Sequence, residues 1–408
     1  MADLVDWELA TSTATRLVRP GPQIPPADAR AAVEQLRAYA VEARGHVRAF
    51  TGLDAPTADA PVAVVDRPTW VRSNVQGMRW LLDPLMAELQ ERAATVPAPL
   101  RAVGSRVTGL EAGAALAFLA GKVLGQYELF PPDGPDGDRP GRLLLVAPNI
   151  VQVERELRVD PSDFRLWVCV HEETHRVQFG SVPWLREHIV QQIGVVVAST
   201  TGGGSGGSGG SGGTGGAGGA DGKAGLTLAR DRSRDVVSAI SAALRGQPGP
   251  SLAEAIQSPE QKAVLDEVTA VMSLLEGHAD VVMDGVGPGV IPSVDLIRQR
   301  FQHRREEPSR LEAALRRLLG LDAKLRQYRD GARFVRAVID DVGMPGFNRV
   351  WESAATLPTA RELADPAAWV ARVHGAAAND AADREAQDRG AQDRGAQHGG
   401  AQDRGAAG

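Results

Sequence analysis

Apolar residues recur every three to four positions along most of the chain, which is the spacing of helices that bury one face. The pattern is clear in "PADARAAVEQLRAYAVEARGHVRAF" and in "TWVRSNVQGMRWLLDPLMAELQERAA", so residues 1–135 are predicted to be mainly helical. It resumes in "PSLAEAIQSPEQKAVLDEVTAVMSLLEGHADVVMDGVG" and in "SRLEAALRRLLGLDAKLRQYRDGARFVRAVIDDVG". The sequence therefore predicts a mainly α fold.

One short apolar run interrupts this periodicity. The run "RLLLVAPNI" follows the loop sequence "PPDGPDGDRPG", whose Pro, Gly and Asp residues are typical of turns. We interpret the run as a strand, so the sequence predicts a small β element within the helical fold.

Two segments lack the apolar residues that a core requires. Residues 202–221 form a Gly/Ser tract, and the end of the chain repeats "AQDRG" with almost no large apolar side chains. The helical segments on either side of the tract are expected to pack together. The prediction is a single domain over residues 1–374 with a disordered insertion at 202–221, followed by a disordered tail over residues 375–408.

The composition argues against several functional classes. A chain of 408 residues with 43% hydrophobic residues can bury one large core or two modest ones. Its net charge is −6 and its arginines are scattered among acids, so nucleic acid is not an expected partner. No segment approaches the roughly 18 consecutive apolar residues of a membrane span, and the first residues lack the apolar stretch of a signal peptide. We expect a cytoplasmic protein that does not bind a membrane.

Cys169 is the single cysteine of the chain. No intramolecular disulfide can form, and zinc sites built from several cysteines are excluded. Any metal must therefore be held by histidine and carboxylate side chains.

The stretch "VCVHEETHRVQF" offers such a site. It lies in a segment that begins with the helix-start signal "DPS" and ends at Gly180, so the motif is predicted to be helical. His171 and His175 are then one turn apart on the same face and can direct both imidazoles at one zinc ion. Glu172 can take a proton from a water on that ion as the water attacks a carbonyl, which is the H-E-x-x-H arrangement.

A simpler interpretation of this motif stays open. Three fixed positions in five arise by chance in many helices, and both histidines could be core residues that hydrogen-bond to carbonyls, with Glu172 in solvent. The preceding Leu166, Val168 and Val170 favour the metal site, because a buried helix must provide partners for its polar side chains.

A catalytic zinc needs a third protein ligand. A third histidine six residues after the second, with a glycine between, is excluded by Gln178 and Ser181. The segment "LLEGHADVVMD" instead supplies Glu276, with Asp280 one turn later, where it could accept the free N–H of a ligand imidazole. His278 competes with Glu276, but it points roughly 200° around the helix from it, so only one of them faces the metal. An ordinary half-exposed helix face is the alternative for this segment.

The two motifs together resemble the gluzincin branch of the zincin metallopeptidases, in which H-E-x-x-H on one helix is followed by E-x-x-x-D on another. More specifically, four segments of the chain resemble an actinobacterial family of zincin-like hydrolases. That family is associated by gene neighbourhood with deazaflavin cofactor biosynthesis. The four segments are "WVCVHEETHRVQF", "LLEGHADVVMDGVG", "KLRQYRDGARFVRAV" and "FNRVWESAATLPTARELADPAAWVARV". The resemblance covers residues 5–374 apart from the Gly/Ser tract.

This resemblance implies a mostly helical, zincin-like metallopeptidase fold with zinc as the cofactor. It implies His171, His175 and Glu276 as ligands and Glu172 as the general base. By the same analogy, "RLLLVAPNI" is expected at the edge of the sheet beside the cleft, where an extended peptide could pair with it as one more strand.

Groups that stabilise an oxyanion are also needed. Tyr328, His278 and His303 are candidates because each can donate a hydrogen bond, but no spacing selects among them. Tyr328 could equally be a packing residue, and His303 lies among arginines that are typical of a solvated face. Cys169 and Glu173 occupy variable positions of the motif, so the resemblance gives them no role.

The sequence therefore predicts a zinc-dependent metallohydrolase, most simply a peptidase, whose substrate is a peptide or amide. The same chemistry would hydrolyse a non-peptide amide in cofactor metabolism. A non-catalytic, metal-stabilised helical scaffold or partner-binding protein is the alternative from another class. The intact Glu172 counts against it, because a structural zinc site does not need a base. The oligomeric state is not predicted from the sequence.

Overall fold

The computed structural model describes residues 5–55, 61–93, 97–129, 141–201, 259–306 and 321–375. Within these ranges the chain forms helices, two short 3-10 turns and one three-stranded sheet. The helices are α1 (Trp7–Leu17), α2 (Pro26–Thr51), α3 (Arg67–Ala93), α4 (Ala98–Ala120), α5 (Ala147–Leu157), α6 (Pro161–Ser181), α7 (Pro183–Thr201), α8 (Pro259–Val286), α9 (Val294–Glu306), α10 (Leu321–Phe347), α11 (Ala360–Ala364) and α12 (366–375). The strands are β1 (Val62–Val65), β2 (Gly125–Glu128) and β3 (Arg142–Val146). The predicted mainly α fold with a small β element is confirmed.

Other expectations fall partly beyond these ranges. The Gly/Ser tract at 202–221 lies outside the described residues, as do residues 376–408 of the predicted tail. The single interrupted domain therefore stays a prediction. No helix within the described ranges has both the length and the apolar character needed to cross a membrane.

Helix α6, which carries the H-E-x-x-H motif, begins where the sequence predicts. The carboxylate of Asp160 caps the helix by accepting the backbone N–H of Asp163 at 3.0 Å. Pro161 occupies the first turn, where a backbone N–H would have no partner within the helix, so proline costs no hydrogen bond there. The helix ends at Ser181, one residue past the predicted end.

Strand β3 is the centre of the sheet. It pairs in parallel with β1 and antiparallel with β2, so the expectation of an edge position was wrong. The physical reason is burial: residues 143–146 are fully buried, and such a strand needs hydrogen-bond partners on both sides. The strand also ends before "APNI", because Pro148 lies in the first turn of α5.

Three clusters of buried apolar side chains form the core of the described residues. The first joins α2, β3, α5, α6 and α9 with the end of α8. The second joins α7, the middle of α8, α10 and the segments that follow it. The third packs α1, α3 and α4 on the sheet. Because α8 contributes to two clusters, it is held from two sides where it carries the "EGHAD" segment.

Two glycines allow α8 and α10 to cross closely. A Cβ on Gly331 of α10 would lie 1.9 Å from the carbonyl oxygen of Ser273, and one on Gly277 of α8 would lie 2.2 Å from the carbonyl carbon of Gly331. Both contacts are with backbone, which cannot rotate aside as a side chain can. The crossing therefore fixes the backbone on either side of Glu276.

Gly331→Ala is expected to lower the free energy of unfolding by about 1–3 kcal/mol, because an added methyl group overpacks this crossing. Gly45→Ala is the matched control, since Gly45 lies inside α2 and a Cβ there has no neighbour within 4 Å. The control should raise stability by up to about 1 kcal/mol through helix propensity. Urea unfolding measures both variants. If Gly331→Ala stabilised the chain as much as Gly45→Ala, the two helices would be able to move apart at the crossing without loss of stability.

Candidate metal centre

Three of the residues singled out in the sequence meet between α6 and α8. The Nε2 atoms of His171 and His175 lie 3.2 Å apart. Glu276 places Oε2 at 3.6 Å from Nε2 of His171 and Oε1 at 3.7 Å from Nε2 of His175. The three residues form a group whose ligand atoms all lie within 4.8 Å of one another. Residues about 100 positions apart in the sequence thus bring together two imidazole nitrogens and one carboxylate oxygen that could bind the same metal ion.

This set fits a zinc ion. Tetrahedral coordination with bonds of about 2.0–2.1 Å separates two ligand atoms by about 3.3 Å, close to the distances between these side chains. The His171, His175 and Glu276 side chains are 20%, 12% and 28% exposed, so the group is open to solvent on one side. Two histidines with one carboxylate are a donor set of catalytic zinc sites, which keep one position for water or substrate.

Each imidazole also has a neighbour at Nδ1. Gln178 places Oε1 at 2.9 Å from Nδ1 of His175, and its Nε2 donates to the carbonyl oxygen of Leu275. The Sδ atom of Met283 lies 3.1 Å from Nδ1 of His171. Neither Gln178 nor Met283 was predicted from the sequence, because neither is a typical zinc ligand or a general base. A glutamine three residues after the second histidine, on nearly the same helix face, was the available signal for Gln178.

Glu172 is buried directly after the first histidine. Burial raises the pKa of its carboxyl well above the ordinary value, and the nearby charge of Glu276 raises it further. Gly125, the first residue of β2, leaves room for this carboxyl: a Cβ there would lie 2.6 Å from Cδ of Glu172 and 2.8 Å from its Oε1. Gly125 was not predicted as a site residue. The edge strand β2 therefore packs against the predicted general base.

Two further motif residues have structural partners. Glu173 is fully buried and accepts hydrogen bonds from Nε of Arg176 at 2.7 Å and from Nη2 of the same guanidinium, with Arg44 at 3.5 Å. Cys169 is buried with its Sγ 3.7 Å from the carbonyl oxygen of Leu36, and burial raises the pKa of the thiol. Both side chains are buried away from the ligand group's open side, and their contacts are with the surrounding protein.

His278 lies in the interior behind the ligand group. Its ring is fully buried and contacts the rings of Phe347 and Trp351, and its Nδ1 accepts a hydrogen bond from Nε2 of Gln178 at 3.0 Å. Burial lowers the pKa of His278 to about 3, with a contribution from His175. It is not part of the ligand group found among the described residues. This position favours a supporting role over contact with a substrate.

Asp280, Tyr328 and His303 are the remaining residues that were singled out in the sequence. Asp280 lies one turn after Glu276, and its charge raises the pKa of Arg298 against the larger lowering effect of burial. Its contact with a ligand imidazole stays a prediction. Tyr328 belongs to α10, but its side chain lies outside the described part of the chain. His303 is exposed on α9, where it lines a surface cavity with residues of α5.

Comparisons with known proteins identify the family of the chain. The chain matches the sequence profile of zincin-like metallopeptidases over residues 5–370. It belongs to the zincin-like metallopeptidase family. A solved structure from Chloroflexus aurantiacus, described as a proposed hydrolase with a novel fold, shares 28% identity with a TM-score of 0.62, covering 91% of this chain and 99% of that one. A search of curated proteins found no match. Membership in the zincin-like metallopeptidases supports a metallohydrolase, usually with zinc.

Proposed function

We propose that the chain is a zinc-dependent hydrolase that cleaves amide bonds, with peptides as its substrate class. The convergence of His171, His175 and Glu276 is the observation that supports the proposal most strongly. The buried carboxyl of Glu172, whose pKa responds to Glu276, adds the acid–base group that hydrolysis requires.

The side chains divide the chemistry between them. A bound zinc ion supplies Lewis-acid chemistry, because it lowers the pKa of water and polarises a carbonyl. His171 and His175 provide neutral imidazole nitrogens, and Glu276 provides a negative charge that offsets part of the charge of the cation. Glu172 accepts the proton of the attacking water at its carboxylate and delivers it to the leaving amine. Its burial favours this role, since a carboxylate with a raised pKa is a stronger base.

Two alternatives differ in what they require of Glu172. A non-peptide amide in deazaflavin cofactor metabolism would need the same residues, and this candidate is supported only by the resemblance of the sequence segments. A metal-stabilised scaffold would need no proton acceptor. Burying an ionisable carboxyl without a use for it lowers stability, so the position of Glu172 counts against the scaffold.

Zinc binding provides the first test of the proposal. The chain, stripped of metal with a chelator, should take up one zinc ion, and Glu276→Ala should weaken zinc binding more than about 100-fold. The expected loss exceeds the 10–100-fold typical of partners that only orient a ligand. Asp266→Ala, an exposed acid on the same helix, is the matched control and should bind zinc normally. Affinity is measured by competition with a chelating dye.

Hydrolysis provides the second test. The zinc-loaded chain should cleave members of a broad peptide library, and chelation should stop the cleavage. Zinc uptake without cleavage of any peptide would reject the peptide substrate class. Equal zinc affinity of Glu276→Ala and the unchanged chain would remove Glu276 from the ligand set.

A further inference from the structure

We infer that Gln178 is the positioning residue of the zinc centre, which orients His175 and holds it in register with the segment that carries Glu276. The inference rests on the proposed zinc site. It assigns a role to a residue that is neither a ligand nor a base.

The geometry of Gln178 supports this role. Its side chain is fully buried on α6, three residues after His175. Its Oε1 lies 2.9 Å from Nδ1 of His175, while its Nε2 lies 2.9 Å from the carbonyl oxygen of Leu275 and 3.0 Å from Nδ1 of His278. One amide group therefore has three partners, and two of them lie on α8.

These partners determine which way the amide faces. A carbonyl oxygen can only accept, so Nε2 of Gln178 must point to Leu275 and Oε1 must point to His175. The reversed amide would set two oxygens against each other at Leu275. Because Oε1 accepts, Nδ1 of His175 carries the hydrogen, and the lone pair of that imidazole is at Nε2. This is the tautomer that turns Nε2 toward the ligand group, as a metal ligand requires.

The same amide also fixes the distance between the two ligand helices. Leu275 and His278 lie on either side of Glu276 in α8, so the bonds from Nε2 tie this turn of the helix to α6. His175 and Glu276 are thereby set relative to each other by a single side chain. An interaction of this kind, made before the metal arrives, reduces the reorganisation that binding requires.

Gln178→Leu is the main test, because leucine fills a similar volume without an acceptor or donor. With ZnCl2 as the probe and a chelating dye as the competitor, we expect the dissociation constant for zinc to rise about 10–100-fold. Gln178→Glu keeps an acceptor for His175 but loses the Nε2 donor to Leu275 and His278, so it should recover only part of the affinity. Ser273→Ala is the matched control, since it removes a buried hydroxyl that donates within α8, to the carbonyl oxygen of Thr269 at 2.7 Å. It should leave zinc affinity unchanged.

Nuclear magnetic resonance provides a readout that packing alone would not change. The Nδ1–H proton of His175 in the zinc-loaded chain should exchange slowly with solvent, and this signal should be lost in Gln178→Leu. If that variant fails to fold, the presence or absence of the protected signal in the unchanged chain still decides the question. Absence of a protected signal, or weaker zinc binding by Gln178→Glu than by Gln178→Leu, would overturn the inference.

The outcomes for the inference and for the proposed function are distinguishable. If the unchanged chain binds zinc and Gln178→Leu binds it equally well, the inference fails and the zinc centre stands. If the unchanged chain does not bind zinc, both fail together. If zinc binding depends on Gln178 but no peptide is cleaved, the positioning role stands and only the peptide substrate class is rejected.

Discussion

Glu172→Gln is expected to reduce kcat for peptide hydrolysis by about 10²–10⁴-fold, the contribution of a positioned general base. Glutamine has the same shape and fills the same buried space, but its amide cannot take up the proton of the attacking water. Zinc affinity should remain within a few-fold of the unchanged chain, because Glu172 is not among the ligand group of the described residues. Steady-state kinetics on the best peptide of the library and dye competition measure the two quantities.

Glu173→Gln is the matched comparison, since it changes the next acid of the motif. Its carboxylate pairs with Arg176 in the interior, so this change should lower the stability of the chain and leave kcat of the folded fraction nearly unchanged. Similar losses of kcat in both variants would mean that the motif helix is merely sensitive to substitution. A fully active Glu172→Gln would reject Glu172 as the base.

Gly125→Ala is expected to lower kcat by about 100-fold, the effect of misplacing a catalytic group by about 1 Å. The added Cβ would occupy the space of the Glu172 carboxyl, 2.6 Å from its Cδ. The Cβ would also lie 2.7 Å from Cγ of Glu172, so the buried side chain must shift as a whole, which should lower the free energy of unfolding by about 1–3 kcal/mol. The signature is therefore a fall in kcat of the folded chain that exceeds this loss of stability, with nearly unchanged zinc affinity.

Gly121→Ala is the control for this change. Gly121 lies four residues earlier, and a Cβ there would meet only the carbonyl oxygen of Phe118 at an ordinary 3.7 Å. It should leave kcat within a few-fold of the unchanged chain. Unchanged kcat in Gly125→Ala would show that β2 moves and that the carboxyl of Glu172 keeps its place.

The helices and the H-E-x-x-H motif could be predicted because their signals are local. The capping Asp160 and the spacing of His171 and His175 belong to one helix and its N-cap, so a single stretch of sequence contains them. The sheet was harder to predict. Strand β2, "GQYE", has no apolar alternation, and strand order depends on pairing between segments that are distant along the chain.

The surroundings of the site could not be predicted for a related reason. The partners of Gln178 lie 97 and 100 residues further along the chain, and its role depends on where α8 crosses α6. In the sequence, the same residue served only to exclude a third histidine. Gly125 and Glu172 likewise meet only after β2 has packed on α6. Local patterns identified the reactive groups, whereas the residues that orient them depend on tertiary contacts.

Cys169 gives the ligand-carrying helix a natural reporter. It is the one thiol in the 408-residue chain, two positions before His171, and it faces the backbone of α2 at Leu36. A thiol-modifying reagent can reach it only when α6 separates from α2 or the core opens. The rate of thiol labelling therefore measures how often α6 separates from α2. A lower rate in the presence of zinc would show that the ion suppresses this opening.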